Sequence, residues 1–262
     1  MIPTSSCCPP VLLDIVMFAT LHNPANVAVI GSSGGIGAAL VRRLADDATV
    51  GTIHALSRSG HEPLPRKATP HCIDIANEES VRHAADVAGE SGPLDLVIVA
   101  TGILHKGAEI APEKTMRELS PDALAAVFAT NCIGPTTVAK HFLPLMRRGE
   151  KSVFAALSAR VGSIADNRLG GWASYRASKA ALNMVLKTLS IEHGRRWPES
   201  VVVGLHPGTV DTALSRPFSK RVEADKLFTP ELAARQLLTV VDGLAAADTG
   251  NIYAWDGTRV PY

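Results

Sequence analysis

Tyr175 and Lys179, four residues apart, are the pair in this sequence best suited to move a proton. On a helix, residues at this spacing lie on one face, so the lysine ammonium can stand beside the tyrosine hydroxyl. A free phenol has a pKa of roughly 10 and is a poor acid or base at neutral pH. An ammonium about 4 Å away contributes on the order of 4 kcal/mol at an effective dielectric of about 20. We therefore expect Lys179 to lower the pKa of Tyr175 enough for proton exchange with an alcohol or carbonyl oxygen. The spacing alone is common in ordinary helices, so the surrounding motifs must support this chemistry.

A glycine-rich turn near the start of the chain is suited to binding a phosphate. Gly31, Gly35 and Gly37 follow a short apolar run and lead into a helix-like segment, with Ser32 and Ser33 between them. Glycine lets the backbone approach a pyrophosphate closely, and a helix N-terminus adds unpaired N–H groups and the positive end of its dipole. A lone glycine turn could merely cap a helix. Its place between a strand and a helix predicts dinucleotide binding.

The residues after the second predicted strand favour NADP(H) over NAD(H). Proteins that bind NAD usually place an acidic residue there for the ribose 2′-hydroxyl. Residues 55–59 read Ala-Leu-Ser-Arg-Ser and contain no acid. Arg58 could pair with a 2′-phosphate through its guanidinium fork, while Ser57 and Ser59 donate hydrogen bonds. The alternative is that Arg58 is a solvated loop residue.

Short apolar runs alternate with longer amphipathic segments along the chain, a pattern typical of βαβ units. It predicts strands at residues 26–30, 50–56, up to 73, 94–100, 152–157 and 201–205, with 252–254 as a last edge strand. It predicts helices at residues 34–47, 77–89, 120–147, 172–196 and 230–244, and a loop with short helical pieces at 209–229. Pro135 and Pro144 should bend or end parts of the 120–147 helix. The predicted fold class is α/β, a single Rossmann-type doubly wound parallel sheet with helices on both faces.

Length and composition indicate one domain preceded by an extension. The chain has 262 residues, 46% of them hydrophobic, which is enough for one sizeable core. We assign residues 25–262 to a single Rossmann-fold domain and the proline-interrupted residues 1–24 to an N-terminal extension. The extension could be disordered, could pack as an arm on a neighbouring copy, or could lie upstream of a start at Met17.

Charge, hydropathy and cysteine usage argue against several classes of function. With 26 basic and 25 acidic residues the net charge is +1, and no basic stripe suggests nucleic acid. The apolar run at 11–18 is short and contains Asp14, so neither a membrane span of roughly 18 residues nor a secretory signal is expected. The four cysteines lack C-x-x-C spacing, which argues against a metal site and for buried free thiols. We expect a cytoplasmic protein without a metal.

Taken together, the motifs resemble those of the short-chain dehydrogenase/reductase family over roughly residues 26–256. The matching pieces are the turn from Gly31 to Gly37, Asp74 after the third strand, Ala100-Thr101-Gly102, Asn131, the pair Tyr175 and Lys179, and the segment 206–212. Within the family, residues 157–164, 170–183 and 253–257 resemble the C-factor and sniffer-like carbonyl reductase branch.

The resemblance implies hydride transfer between NADP(H) and a carbonyl or alcohol substrate. It implies that Tyr175 protonates the developing alkoxide, Ser158 donates a hydrogen bond to the same oxygen, and Lys179 holds the nicotinamide ribose. It implies that Asn131 bends its helix and positions a water for proton resupply; the alternative is a polar residue bonded to backbone. The residues implied to bind the cofactor are Gly31, Ser33, Gly35, Ile36, Gly37, Ser57, Arg58, Asp74, Ile75, Ala100, Thr101, Gly102, Tyr175, Lys179, Pro207, Gly208, Val210 and Thr212.

Two departures from the family pattern affect the site. Counting forward from the fifth strand places the active-site serine at Ser158, whereas counting back from Gly162 places Ala159 there. We favour Ser158, with Ser163 as the reserve donor. Thr101 replaces the family's usual asparagine, and we expect it to hydrogen-bond locally.

Substrate choice should depend on the loops at residues 103–118 and 209–229, whose apolar side chains suggest a partly apolar carbonyl or alcohol. His105 is interpreted as a surface loop histidine. The resemblance also implies a homodimer or homotetramer formed through the helices at 120–147 and 172–196. A second interpretation is a dinucleotide-binding signalling or interaction protein of the C-factor type with little turnover.

Overall fold

The computed structural model describes residues 18–59, 63–107, 109–221 and 223–262. The strands are β1 (Ala25–Ile30), β2 (Val50–Ser57), β3 (Ala68–Cys72), β4 (Leu96–Val99), β5 (Ser152–Leu157), β6 (Ser200–His206), β7 (Thr209–Val210), β8 (Leu227–Phe228), β9 (Ile252–Ala254) and β10 (Arg259–Val260). The helices are α1 (Gly35–Asp46), α2 (Glu78–Gly89), α3 (Pro121–Phe128), α4 (Gly134–Phe142), α5 (Ala173–Gly194) and α6 (Pro230–Gly243).

The central sheet has the spatial order β10-β9-β6-β5-β4-β1-β2-β3. Its neighbouring strands pair in parallel, except that β10 runs antiparallel to β9. The strand order reverses between β1 and β4, which is where open α/β sheets bind ligands. The predicted fold class, a doubly wound parallel sheet of the Rossmann type, is confirmed.

Apolar side chains cover both faces of the sheet because successive residues of a strand point to opposite sides. In β1, Val27 and Val29 belong to the core under α1 and α6. Ala28 and Ile30 belong to the core on the other face, which includes Phe142 from α4. Strands buried on both sides therefore read as continuous apolar runs in the sequence.

The predicted helix at 120–147 is a composite of several helical types. Ser120 caps α3 by accepting a hydrogen bond from the Ala123 N–H at 3.4 Å. A π-helical turn at Ala129–Ile133 then joins α3 to α4, and a 3-10 turn at Leu143–Leu145 follows. Pro135 has no N–H to donate to a carbonyl oxygen of the preceding turn. The wider π-helical turn directly before it accommodates the missing hydrogen bond.

Two strand features differ from the predictions. The predicted edge strand at 252–254 forms as β9, but β10 lies beyond it and occupies the edge. Within the loop predicted at 209–229, β7 and β8 form a separate parallel pair. Strands of two residues carry no periodicity, so the sequence pattern could not predict them.

Residues 18–24 pack onto the domain next to α6. Phe18 and Leu21 are buried in the same core as α1, and the Thr20 hydroxyl donates to the Asp242 carboxylate at 2.7 Å. The three interpretations of the extension, including a start at Met17, concern residues that lie mostly outside the described part of the chain. The domain boundary at residue 24 therefore stays a prediction.

The cysteines that the structure describes are both free thiols. Cys132 is buried in the π-helical turn, as expected, whereas Cys72 is exposed at the end of the edge strand β3, so the prediction of burial is wrong there. Among the described residues, no group of three or more His, Cys, Asp or Glu side chains could hold a metal ion. None of the helices described is long and apolar enough to cross a membrane.

Candidate active site

Two adjoining cavities lie at the carboxyl ends of the strands, across the point where the strand order reverses. The larger measures about 590 Å³ and the smaller about 360 Å³. Both are lined by Gly34 and by the segment 100–103 that follows β4. They therefore form one elongated cleft, which suits a ligand with two separate ends such as a dinucleotide.

The glycine turn brings β1 and α1 into close contact at the middle of this cleft. A Cβ at Gly37 would lie 2.1 Å from the carbonyl oxygen of Gly31, so only glycine fits there. Gly34 is the N-cap of α1, and no side chain caps that end of the helix. The first N–H groups of α1 thus remain available to an anion in the cleft.

The larger cavity contains the residues predicted to select the cofactor. Arg58 is exposed at its rim, and Ser33, Ser57 and Asp74 also line it. The Ser57 hydroxyl donates to the Ser59 carbonyl oxygen at 2.5 Å, which shapes the loop that presents the Arg58 side chain.

Thr101 lines both cavities, and its hydroxyl does not make the hydrogen bond that was expected from the sequence. Thr101 Oγ1 is buried and has no hydrogen-bond partner among the described residues, so the predicted local hydrogen bond is wrong. Its methyl group instead faces the turn at Gly31, 2.9 Å from where a Cβ there would be. A buried hydroxyl without a partner costs about 1–3 kcal/mol. A polar group of a bound dinucleotide would remove that cost, so this residue fits the implied cofactor.

Tyr175, Lys179 and Ser158 meet in the smaller cavity. Lys179 Nζ donates to the Leu157 carbonyl oxygen at 2.7 Å and lies 5.8 Å from the centre of the Tyr175 ring. The turn after β5 can approach α5 closely because Gly162 has no side chain. A Cβ at Gly162 would lie only 2.7 Å from the Lys179 Cβ and would clash with it. The fold therefore brings Tyr175 and Lys179 of α5 next to Ser158 at the end of β5.

The pKa values in this cavity are set mainly by burial. Burial raises the pKa of Tyr175 to about 12, and burial lowers the pKa of Lys179 to about 8. The expectation that Lys179 lowers the pKa of Tyr175 does not hold in this structure, since loss of hydration outweighs the neighbouring charge. Part of the Tyr175 surface still opens to the cleft. At neutral pH its phenol is protonated and is poised as a proton donor.

The structure separates the two candidate serines. Ser158 faces the cavity that holds Tyr175, and its hydroxyl donates to Asn183 Oδ1 at 2.6 Å. Ser163 lines a different cavity beside the start of α5, where its hydroxyl accepts a hydrogen bond from the Asp166 N–H at 3.1 Å. Ser158 is thus the serine that the fold brings to the tyrosine.

Asn131 lies in the π-helical turn and is completely buried. Its Oδ1 accepts from the Ile103 N–H at 2.7 Å, and its Nδ2 donates to the Ile103 carbonyl oxygen at 2.8 Å and to Ser178 at 3.2 Å. Asn131 lines neither cavity. Its observed contacts fix the segment after β4 against α5.

The remaining predicted residues divide between the cleft and its support. Pro207 and Thr212 line the smaller cavity together with Gly35, Ile36, Ala100 and Gly102, and Ile75 lines the larger one. Gly37, Gly208 and Val210 line neither cavity, and Val210 is packed against Phe228.

The smaller cavity also contains a residue that the sequence analysis assigned to the surface. His105, interpreted as a surface histidine, lines the smaller cavity and donates from Nε2 to the Ala213 carbonyl oxygen at 3.0 Å. This bond joins the two loops that were predicted to select the substrate. The sequence did contain a signal that could have placed His105 in the cavity. This residue lies soon after a central strand, where loops face the ligand.

A profile of the family described as short chain dehydrogenase matches residues 25–223. The chain belongs to the short-chain dehydrogenase/reductase family. It is 34% identical over 173 residues to C-signal of Myxococcus xanthus, which covers 66% of this chain and 95% of that protein.

Two solved structures are also similar in fold. The NADPH-bound carbonyl reductase from chicken fatty liver has a TM-score of 0.77 at 24% identity, covering 90% of this chain and 98% of its own. The carbonyl reductase Sniffer of D. melanogaster has a TM-score of 0.77 at 21% identity, covering 91% and 100%. The resemblance to the C-factor and sniffer-like branch is confirmed. The protein is an NAD(P)-dependent dehydrogenase or reductase of this family.

Proposed function

We propose that this protein reduces a small carbonyl substrate with NADPH, or oxidises the corresponding alcohol with NADP⁺, using Tyr175 as general acid and base. The observation that carries this proposal is the meeting of Tyr175, Lys179 and Ser158 in one cavity of a dinucleotide-sized cleft. A bound NADPH supplies the hydride to the carbonyl carbon. The catalytic set is Ser158, Tyr175, Lys179 and Asn131, as the family resemblance implies.

Tyr175 gives its proton to the substrate oxygen as negative charge grows there. Its raised pKa of about 12 keeps the phenol protonated until that moment. Ser158 supplies a second donor to the same oxygen once its hydroxyl turns from Asn183 to the substrate, and a donor at that place stabilises the transition state. Lys179 then faces the phenolate that the transfer leaves, and its ammonium stabilises that charge.

Lys179 and Asn131 have supporting roles in the proposal. Lys179 would hold the nicotinamide ribose hydroxyls with the N–H groups not engaged by Leu157. Asn131 lies in the π turn, where it would position a water that passes protons from solvent to Lys179.

The proposed cofactor is NADP(H) in preference to NAD(H). Arg58 stands at the rim of the larger cavity with serines on either side, where a guanidinium would pair with a 2′-phosphate. The larger cavity would then hold the adenosine end, with Asp74 and Ile75 beside the adenine. The similarity to a carbonyl reductase solved with NADPH supports the same choice.

A second candidate function is dinucleotide-dependent signalling with little turnover. The observation that favours it is the similarity to C-signal, whose name describes a signal. The converging tyrosine, lysine and serine favour catalysis, because a binding protein has no need of a buried proton donor in its ligand cavity.

The deciding experiment measures NADPH oxidation against a panel of aldehydes, ketones and quinones, for wild type and Tyr175→Phe. We expect turnover by wild type and a loss of roughly 10²-fold or more in the variant, whose phenyl ring has no proton to give. Calorimetric titration should find NADPH binding nearly unchanged in the variant. Binding without turnover in wild type would favour the signalling function, and substantial activity in Tyr175→Phe would remove Tyr175 from its proposed role.

The proposed assembly is a homodimer or homotetramer in the cytoplasm, formed through α3, α4 and α5. Large apolar side chains are exposed on α3 and α5 and on the π-helical turn before α4: Leu124, Met184 and Ile191 on the two helices and Ile133 in the turn. An apolar surface of this kind on helices that are already packed on one side suits a second copy of the chain.

A further inference from the structure

Asn183 continues the row of site residues along α5. Tyr175, Lys179 and Asn183 are spaced four apart and so lie on one face of the helix. Asn183 is only 3% exposed, and its Oδ1 accepts the hydrogen bond from the Ser158 hydroxyl. One turn earlier, Lys179 bonds the carbonyl oxygen of Leu157. Two consecutive turns of α5 thus hold the two residues at the end of β5.

The Ser158–Asn183 bond determines what the serine offers to a ligand. A hydroxyl has one proton to donate and two lone pairs to accept with. In this structure the Ser158 hydroxyl donates its hydrogen bond to Asn183 Oδ1, with 2.6 Å between the two oxygens, so Ser158 presents only lone pairs to the cavity. Lone pairs would repel the negative charge that develops on a substrate oxygen, whereas the proposed reaction needs a donor there.

The amide of Asn183 can serve either state of the serine. Rotation by half a turn about its Cβ–Cγ bond exchanges the acceptor Oδ1 for the donor Nδ2. With Nδ2 towards Ser158 Oγ, the amide donates, the serine oxygen accepts, and the serine proton is released into the cavity. A carboxylate at the same position could only accept.

We propose that Asn183 is a positioning residue whose amide sets the direction of the Ser158 hydroxyl. Its Oδ1 accepts a hydrogen bond from the Ser158 hydroxyl when the cavity holds no substrate. When a carbonyl oxygen arrives, its Nδ2 donates a hydrogen bond to the serine oxygen instead. This inference rests on the proposed function, because it requires an oxygen that receives the serine proton. Its competitor is a structural role in which Asn183 only satisfies a buried hydroxyl.

Two variants of similar shape distinguish these roles, because the two roles predict opposite rankings of the kcat values of the variants. Asn183→Asp keeps the acceptor and removes the donor, so it should hold the serine proton away from the substrate. We expect kcat to fall on the order of 10²-fold, towards the level of Ser158→Ala, since one oxyanion donor is lost. Asn183→Leu removes both groups and leaves the serine proton free to turn, so its kcat should fall less than 10-fold, on the order of one ordinary hydrogen bond. A structural role predicts the opposite order, because Asp retains the bond that Leu destroys.

The same two substitutions in a Ser158→Ala background provide the control for the charge that Asp places near Lys179. Without the serine hydroxyl, the kcat difference between Asp and Leu should disappear. Ser163→Ala is the matched serine control and should keep wild-type kcat. Thermal unfolding and NADPH titration of each variant check that folding and cofactor binding persist.

The outcomes separate this inference from the proposed function. If wild type turns over a carbonyl and Ser158→Ala slows it, but Asn183→Asp is as active as or more active than Asn183→Leu, this inference alone is overturned. A difference between Asp and Leu that persists in the Ser158→Ala background also overturns it. If wild type turns over no carbonyl in the panel, the proposed function fails and the inference fails with it.

Discussion

Lys179 Nζ donates to the carbonyl oxygen of Leu157 at 2.7 Å, which ties the middle of the site helix to the end of a central strand. The bond satisfies one of the three ammonium protons and directs the others towards the cleft, where Gly102 leaves room for them. The bond leaves the lysine charge in place, so the raised pKa of Tyr175 comes from burial of the phenol and not from the engagement of the lysine. The lysine is therefore a buried cation held by a neutral partner.

That burial predicts a dependence of stability on pH. The pKa of Lys179 falls from 10.5 to about 8 on folding, through burial. Between those values the unfolded chain binds more protons, so this group makes the folded state more stable as pH rises. Relative to Lys179→Met, wild type should gain up to about 3 kcal/mol in free energy of unfolding between about pH 7 and about pH 10. Urea denaturation of both proteins at the two pH values measures it, and a difference that stays constant would contradict a buried ammonium.

A second prediction concerns the π-helical turn. Asn131→Leu keeps the branching of the side chain at Cγ but leaves the N–H and carbonyl of Ile103 without their partners. Each buried polar group left unpaired costs about 1–3 kcal/mol, so we expect a loss of roughly 2–5 kcal/mol in the free energy of unfolding. Urea denaturation measures the loss. Asn167→Leu is the control, because its side chain lies in an exposed loop and, among the described residues, accepts only from the Gly170 N–H, so the change should cost less than about 1 kcal/mol. An equally mild effect at Asn131 would show that its bonds to Ile103 contribute little.

Local signals in the sequence were sufficient for the main architecture. Strands covered on both faces must be apolar throughout, and helices between them must be amphipathic, so their order could be predicted from periodicity. The pairing of Ser158 with Tyr175 came instead from the family resemblance, which places the active-site serine at the end of the fifth strand.

Features that depend on tertiary packing could not be predicted in this way. The pKa of Tyr175 moved opposite to the expectation because burial depends on residues distant in sequence. The partner of Ser158 is Asn183, and the partner of Asn131 is the backbone of Ile103. Neither contact is encoded in a spacing. The hydroxyl of Thr101, which has no hydrogen-bond partner in the described part of the chain, likewise follows only from the close approach of the segment after β4 to the glycine turn.

Cofactor choice yields a third prediction. Arg58→Asp removes the guanidinium proposed to pair with the 2′-phosphate and adds a carboxylate suited to a ribose hydroxyl. The dissociation constant for NADPH should rise roughly 10–100-fold, the value of a charged hydrogen bond, while that for NADH falls. Fluorescence titration with both cofactors measures the inversion. Arg66→Asp introduces the same charge change at an exposed residue that lines neither cavity, and it should leave the ratio of the two constants unchanged. If Arg58→Asp leaves NADPH affinity unaffected, the assignment of this arginine is wrong.

The exposed apolar face of α5 yields the last prediction. Met184 is 67% exposed and Ile191 is 54% exposed, and seven residues of separation place both on one face of the helix. Association would bury these side chains, and a carboxylate at each position would then lie in a desolvated interface without a partner. We expect light scattering after gel filtration to report a dimer or tetramer for wild type and a smaller species for the double variant Met184→Glu, Ile191→Glu. His83→Glu on the exposed side of α2 adds a carboxylate away from this face and should retain the wild-type mass. A wild-type monomer, or an assembly that survives both substitutions, would exclude this face as the interface, because two buried charges without partners could not be tolerated there.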